Sequence, residues 1–133
     1  MEELNMDANE ILKTKKIFAV SGVSQDESKY GFEVFNTLIE HKYKTYPINP
    51  KYNEIAGHKC FPSIDSLPEE PQVLIVVLSP QNTGKIVETL VKYKNIILWL
   101  PPECWSDEVI GKLNQSGLEY IYDVCPVGKL KGF

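Results

Sequence analysis

The sequence predicts an α/β chain: a parallel sheet of five or six strands with helices on both faces. Two patterns lead there. Short apolar runs without polar alternation recur along the chain, as expected of strands covered on both sides. Between them lie longer stretches whose apolar residues return every three or four positions, the period of a helix with one buried face. Strands alternating with helices imply right-handed crossovers and parallel pairing. Such a sheet is Rossmann-like, and its ligands bind beyond the carboxyl ends of the strands, where the strand order reverses.

A first helix is expected around Met6 to Leu12. Ile17-Phe18-Ala19-Val20 is the first strand, broken by Ser21-Gly22-Val23-Ser24. From Tyr30 to His41, Val34, Phe35, Leu38 and Ile39 make a helical stripe. Thr45-Tyr46-Pro47-Ile48 is a weaker strand ending at Asn49-Pro50. The crossover from Pro50 to Pro71 is irregular, with a short strand near Lys59-Cys60-Phe61 and one helical turn around Ser63–Leu67. Val73–Val77 is the most β-branched run. Ile86, Val87, Leu90 and Val91 set a helix from Pro80 to Tyr93, with Pro80 suited to its first turn. Ile96–Leu100 is the next strand, stopped by Pro101-Pro102. A helix from Asp107 to Ser116 has Ser106 as N-cap and Gly117 as its C-terminal stop. Tyr120-Ile121-Tyr122 is the last strand. None of the nine prolines falls inside a predicted helix interior.

A chain of 133 residues has the size of one domain, here residues 1–133. Its 43% hydrophobic and 24% charged residues exclude intrinsic disorder. All 14 basic residues are lysine, against 18 acidic ones, for a net charge of −4. That balance argues against nucleic acid as a partner. Without arginine, any phosphate grip rests on lysines and backbone amides. Cys60, Cys104 and Cys125 are odd in number and form no C-x-x-C pair, so a disulfide framework or cysteine-built zinc site is not expected, and a reduced cytoplasmic setting is. Met1 to Glu10 is too acidic and polar for a signal peptide. The longest apolar runs are too short to span a membrane.

The loops at the carboxyl ends carry the candidate chemistry. Gly22, just after the first strand, lets the backbone turn and approach a ligand. Ser24 adds a hydroxyl, Lys29 is a further candidate cofactor-binding residue in the segment that follows, and the following helix is expected to aim N–H groups at an anion. The dinucleotide fingerprint is incomplete, because Ser24 stands where its second glycine belongs. The P-loop is absent, with Glu27-Ser28 in place of Gly-Lys. By itself the loop is equally an ordinary strand-to-helix turn. After the second strand, Asn49-Pro50-Lys51-Tyr52 lacks the acid that takes NAD ribose hydroxyls. Lys51 suits a ribose phosphate, which NADP and coenzyme A both carry, although a solvated loop lysine is the plainer reading of that residue alone.

Three segments together are similar to the CoA-binding domain family, the small proteins resembling the N-terminal domain of the succinyl-CoA synthetase alpha subunit. They are Ala19-Val20-Ser21-Gly22-Val23-Ser24, Tyr46-Pro47-Ile48-Asn49-Pro50-Lys51-Tyr52, and Ile55-Ala56-Gly57-His58-Lys59-Cys60-Phe61-Pro62-Ser63-Ile64. Asp123-Val124-Cys125-Pro126 is similar to the family's Asp-x-Cys segment, and the resemblance runs from about Thr14 to about Pro126. It implies that Gly22, Val23 and Ser24 meet the CoA pyrophosphate, that Asn49, Pro50 and Lys51 lie beside the adenosine and its 3′-phosphate, and that Leu78, Ser79 and Pro80 run along the nucleotide or pantetheine. The family's W-x-Q-x-G is replaced by Trp99-Leu100-Pro101-Pro102-Glu103. The phosphorylated histidine of the synthetase belongs to a second domain, so neither His41 nor His58 inherits that role.

The expected function is non-catalytic binding of coenzyme A or an acyl-CoA, with no catalytic residue and no metal. The nucleotide is the small-molecule partner, membranes are not partners, and a homodimer or a partner subunit is compatible with the pattern. An NADP-linked or acyl-CoA-processing enzyme is the alternative, and a nucleotide-sensing regulatory domain a third reading. His58 and Cys60 make two ligands where zinc needs three or four. Cys125 reads as a small hydrophobe. Cys104, in the loop after the Ile96–Leu100 strand, is the thiol placed to exchange with the CoA thiol.

Overall fold

The computed structural model describes residues 7–132. In chain order the elements are α1 (Ala8–Thr14), β1 (Ile17–Ser21), α2 (Tyr30–Glu40), β2 (Lys44–Ile48), β3 (Glu54–Ile55), β4 (His58–Lys59), β5 (Val73–Val76), α3 (Pro80–Leu90), β6 (Ile97–Leu100), α4 (Asp107–Ser116), β7 (Glu119–Tyr122) and α5 (Pro126–Lys131). A five-stranded sheet runs in the order β2-β1-β5-β6-β7, with every neighbouring pair parallel. The chain moves outward from β1 to β2, then returns to the other side of β1 with β5. That reversal places the switch point between β1 and β5.

The apolar runs are continuous because each strand is covered twice. Phe18, Val20, Ile75 and Trp99 pack on one face with Ile11 of α1, Phe35 and Leu38 of α2 and Val127 of α5. Ala19, Leu74, Val76 and Leu98 pack on the other with Val87 and Leu90 of α3 and Val109 and Leu113 of α4. The fully buried Trp99 indole donates to the Val124 carbonyl at 2.8 Å, so the core satisfies its polar edge and pins the segment after β7. Pro47 stands in β2 without disrupting the ladder, because β2 is an edge strand.

Several boundaries differ from expectation. α1 begins two residues later than the hydrophobic pattern implied, because the Asp7 carboxylate accepts from the Asn9 N–H at 2.9 Å and sets the cap; Met6 and the residues before it lie outside the described range. α3 stops at Leu90 rather than Tyr93. The irregular crossover holds the hairpin β3–β4, turned by Ala56 and Gly57 at φ 50° and 82°. An isolated parallel bridge joins Phe61 to Ile48, and a 3-10 turn spans Ile64–Ser66. α5 was not anticipated. Ser106 and Gly117 cap α4 as predicted, Ser106 accepting from the Val109 N–H and Gly117 turning left-handed. Among the described residues no helix is long and apolar enough to cross a membrane.

Candidate functional site

At the end of β1 the chain passes between two neighbouring strands, and the glycine there is sterically required. Gly22 has φ +94°, and a Cβ on it would fall 2.1 Å from the Val77 carbonyl oxygen. Its N–H donates to the Ile48 carbonyl at 2.9 Å, tying the turn to the end of β2. Gly31, in the first turn of α2, has room for no side chain either: its Cβ would meet the Gly22 carbonyl oxygen at 2.3 Å. Two glycines thus seat the start of α2 on the β1 loop.

Asn49 joins this loop to the second one. Its side-chain amide donates to the Val23 carbonyl at 2.8 Å, and its Oδ1 accepts from the Lys51 N–H at 2.9 Å. Its own backbone N–H donates to the Phe61 carbonyl. Val23 is fully buried. Ser24 Oγ accepts from the Asp26 N–H at 2.9 Å, and Asp26 accepts from the Ser28 hydroxyl and N–H. Those bonds, the hydroxyl first, hold its carboxyl below the usual range. Among the described residues nothing accepts from the N–H of Val23 or Ser24.

Beside these loops lies a cleft of about 580 Å³. Its floor is apolar, with Ile48, Leu74, Leu78 and Ile86, and its rim carries Lys51 and Lys85. Asp65 also reaches the cleft, but its carboxylate is occupied by the Tyr93 hydroxyl and by Lys92. Tyr93 first, then Lys92, keeps the Asp65 carboxyl low, while the same contact pushes the Tyr93 phenol up to about 12. The cleft sits at the switch point, where an open α/β sheet offers its crevice.

Of the residues singled out in the sequence, Gly22, Asn49, Pro50, Lys51 and Leu78 line this cleft. Val23, Ser24, Lys29, Ser79 and Pro80 are outside the lining. Val23 is packed behind the loop, and Lys29 is the exposed N-cap of α2. Ser79 caps α3, accepting from the Asn82 N–H, and Pro80 faces a separate groove between α3 and α4. α2 packs on the face of the sheet opposite the cleft floor, and its first turn is seated against the Gly22 loop. The sequence reading missed Asn82, Lys85, Ile86 and Thr89, which reach the cleft from one side of α3. Their spacing of three, one and three residues was the available signal.

The remaining candidates have structural partners. Cys104 is buried, and burial pushes its thiol up against the opposing pull of the Leu78 backbone. It is therefore poorly placed to ionise and attack. The Cys60 thiol, also raised by burial, donates to the Asn49 carbonyl at 3.6 Å. Cys125 is partly exposed rather than buried, and its Sγ lies 3.0 Å from the Tyr30 hydroxyl. The His58 ring packs edge-on to Phe35 at 5.3 Å. His41 caps α2 with Nδ1 at 2.9 Å from the Thr37 carbonyl. Glu103, at the position of the glycine in W-x-Q-x-G, has φ 70°, a left-handed conformation that favours glycine.

Comparison with known proteins places the chain. A family model for the CoA binding domain matches residues 16–130, and the chain belongs to that family. It is 37% identical over 73 residues to the ADP-forming acetate–CoA ligase I of Archaeoglobus fulgidus, a match covering 55% of this chain and 11% of that one. It is 39% identical over 61 residues to the alpha subunit of the ADP-forming acetate–CoA ligase II of Pyrococcus furiosus, covering 45% of this chain and 13% of that subunit. The chain thus matches only about a tenth of the length of these curated relatives. A hypothetical protein from Pyrococcus horikoshii OT3 superimposes with a TM-score of 0.87 at 30% identity, over 95% of this chain and 89% of the other.

Proposed function

We propose that this member of the CoA-binding domain family binds coenzyme A or an acyl-CoA in the cleft at the β1/β5 switch point, as one binding unit of residues 1–133 in the cytoplasm. The observation that carries the reading is the convergence of Gly22, Asn49 and Lys51 on one cleft with an apolar floor. A nucleotide has a flat apolar ring and separated phosphates, and this arrangement offers each a counterpart. The N–H groups of Val23 and Ser24, which have no acceptor among the described residues, receive the diphosphate at the edge of the cleft, while the Gly22 N–H stays with Ile48. Lys51 pairs with the ribose phosphate as a point charge, since no arginine is present to fork around it.

Binding without turnover is the second part of the reading. Catalysis by a side-chain nucleophile needs a base within hydrogen-bond reach. Cys104 is buried with a raised thiol. The neighbour of Cys125 is a tyrosine whose phenol is itself pushed well above its ordinary value, burial being the largest cause. The ligase relatives carry most of their length outside the matched segment, and a partner subunit is where chemistry on the bound thioester would reside.

A thermal-shift series on the purified chain tests this. CoA and acetyl-CoA at a hundred times their dissociation constants stabilise by about 2.7 kcal/mol, while NAD, NADH and NADPH leave the midpoint unchanged. Stabilisation by NADPH without stabilisation by CoA overturns the proposal in favour of an NADP-linked activity.

A further inference from the structure

The α3 wall of the cleft carries a cation that neither loop motif contains. Lys85 lines the same cleft as Gly22, Lys51 and Leu78. α3 starts at Pro80, four residues after β5 ends, so its N-terminal end lies at the carboxyl edge of the sheet. Helical side chains lean toward the N-terminus of their helix. Lys85 stands on the second turn of α3, one turn beyond Asn82, where it lines this cleft and also borders the groove between α3 and α4. Lys51 enters from the other side, out of the loop after β2.

Three charged side chains line the cleft: Lys51, Asp65 and Lys85. Among the described residues, Lys51 and Lys85 have no carboxylate within ion-pair distance. Asp65, an acid that reaches the cleft, is neutralised by Lys92 and held by Tyr93. A chain of net charge −4 thus leaves two cations uncompensated on one apolar-floored cleft, at its two sides. Two separated cations match a ligand with two separated anionic groups better than a single phosphate.

We propose that Lys85 binds the diphosphate of the ligand together with the amides of the Gly22 loop, so that the site reads two phosphate positions: the diphosphate through Lys85 and the ribose phosphate through Lys51. The inference rests on the CoA reading above and adds to it a residue and a division of labour. Lys85 is exposed, so truncating it leaves the core intact.

Calorimetric titration of CoA and 3′-dephospho-CoA against the wild type, Lys85→Ala and Lys51→Ala tests the assignment, with melting curves of the free proteins confirming the fold. Both ligands carry the diphosphate; only CoA carries the ribose phosphate. Lys85→Ala weakens both ligands by the same factor, about tenfold, for the loss of one charge-assisted contact, and leaves their ratio at the wild-type value. Lys51→Ala instead brings the two affinities together. Unchanged affinities in Lys85→Ala overturn the inference and leave the CoA reading standing. A loss confined to CoA also overturns it, because Lys85 then serves the ribose phosphate. A wild-type protein that binds neither ligand overturns the CoA reading, and the inference with it.

Discussion

A Cβ on Gly31 would lie 2.3 Å from the carbonyl oxygen of Gly22, so the first turn of α2 and the β1 loop are in backbone contact. Gly22 is itself confined, with its own Cβ position 2.1 Å from the Val77 carbonyl. Backbone atoms cannot rotate away as a flexible side chain can. Gly31→Ala and Gly22→Ala each destabilise the fold by about 1–3 kcal/mol through forced backbone shifts, with the larger effect at Gly22, where positive φ adds strain. Urea unfolding of the two variants checks this. As a control, Gly111→Ala, where a Cβ meets nothing within 4 Å in the interior of α4, stabilises by about 0.5–1 kcal/mol.

Asn49 holds the two ligand loops together through Val23 and Lys51. Asn49→Asp keeps the acceptor toward the Lys51 N–H and loses the donor toward the Val23 carbonyl. The expected cost is about 1–2 kcal/mol of stability, with a larger proportional loss of CoA affinity, because the carboxylate also stands near the phosphates. Equal binding by Asn49→Asp and wild type, measured by calorimetry, removes the loop-bridging role.

The thiols are predicted to react in order of access. Cys60 and Cys104 are buried and their thiols pushed up by burial, whereas Cys125 is partly exposed. With a chromogenic disulfide reagent at neutral pH, one thiol per native chain reacts, and peptide mapping finds it at Cys125. Cys104 reacts only on unfolding, which also closes the route to a mixed disulfide between Cys104 and CoA. Labelling of native Cys104 contradicts this.

Glu103 occupies a left-handed conformation that costs a side-chain-bearing residue about 1–2 kcal/mol. Glu103→Gly relieves most of that strain and returns part of the gain as unfolded-state entropy, for a net stabilisation of about 0.5–1 kcal/mol. Chemical denaturation reads the difference directly.

Most of the sheet was legible because its signal is local. Val73–Val76 and Ile97–Leu100 are unbroken apolar runs, and Ser106 and Gly117 punctuate α4 with side-chain and backbone preferences that act within one turn. The elements missed are those too short to show a period: α5 has six residues, two of them lysine, and β3 has two, whereas the short strand expected near Lys59-Cys60-Phe61 is found as β4, His58–Lys59. Gly57 was the available sign of the hairpin turn. In the site, Gly22, Asn49 and Lys51 stood out because loop chemistry after a strand is readable in order. Lys85 did not, because an exposed helical lysine looks the same in sequence whether it faces solvent or a cleft, and Ile86 beside it read as core. Only the packing of α3 on the sheet makes that distinction.

The most direct measurement is the affinity of the wild-type chain for CoA against 3′-dephospho-CoA, repeated with Lys51→Ala. Lys51 in the cleft predicts tighter binding of CoA by about tenfold, for one charge-assisted contact to the ribose phosphate, and a preference that disappears in Lys51→Ala. Equal affinity of the wild type for both ligands, or a preference that survives the substitution, contradicts the account.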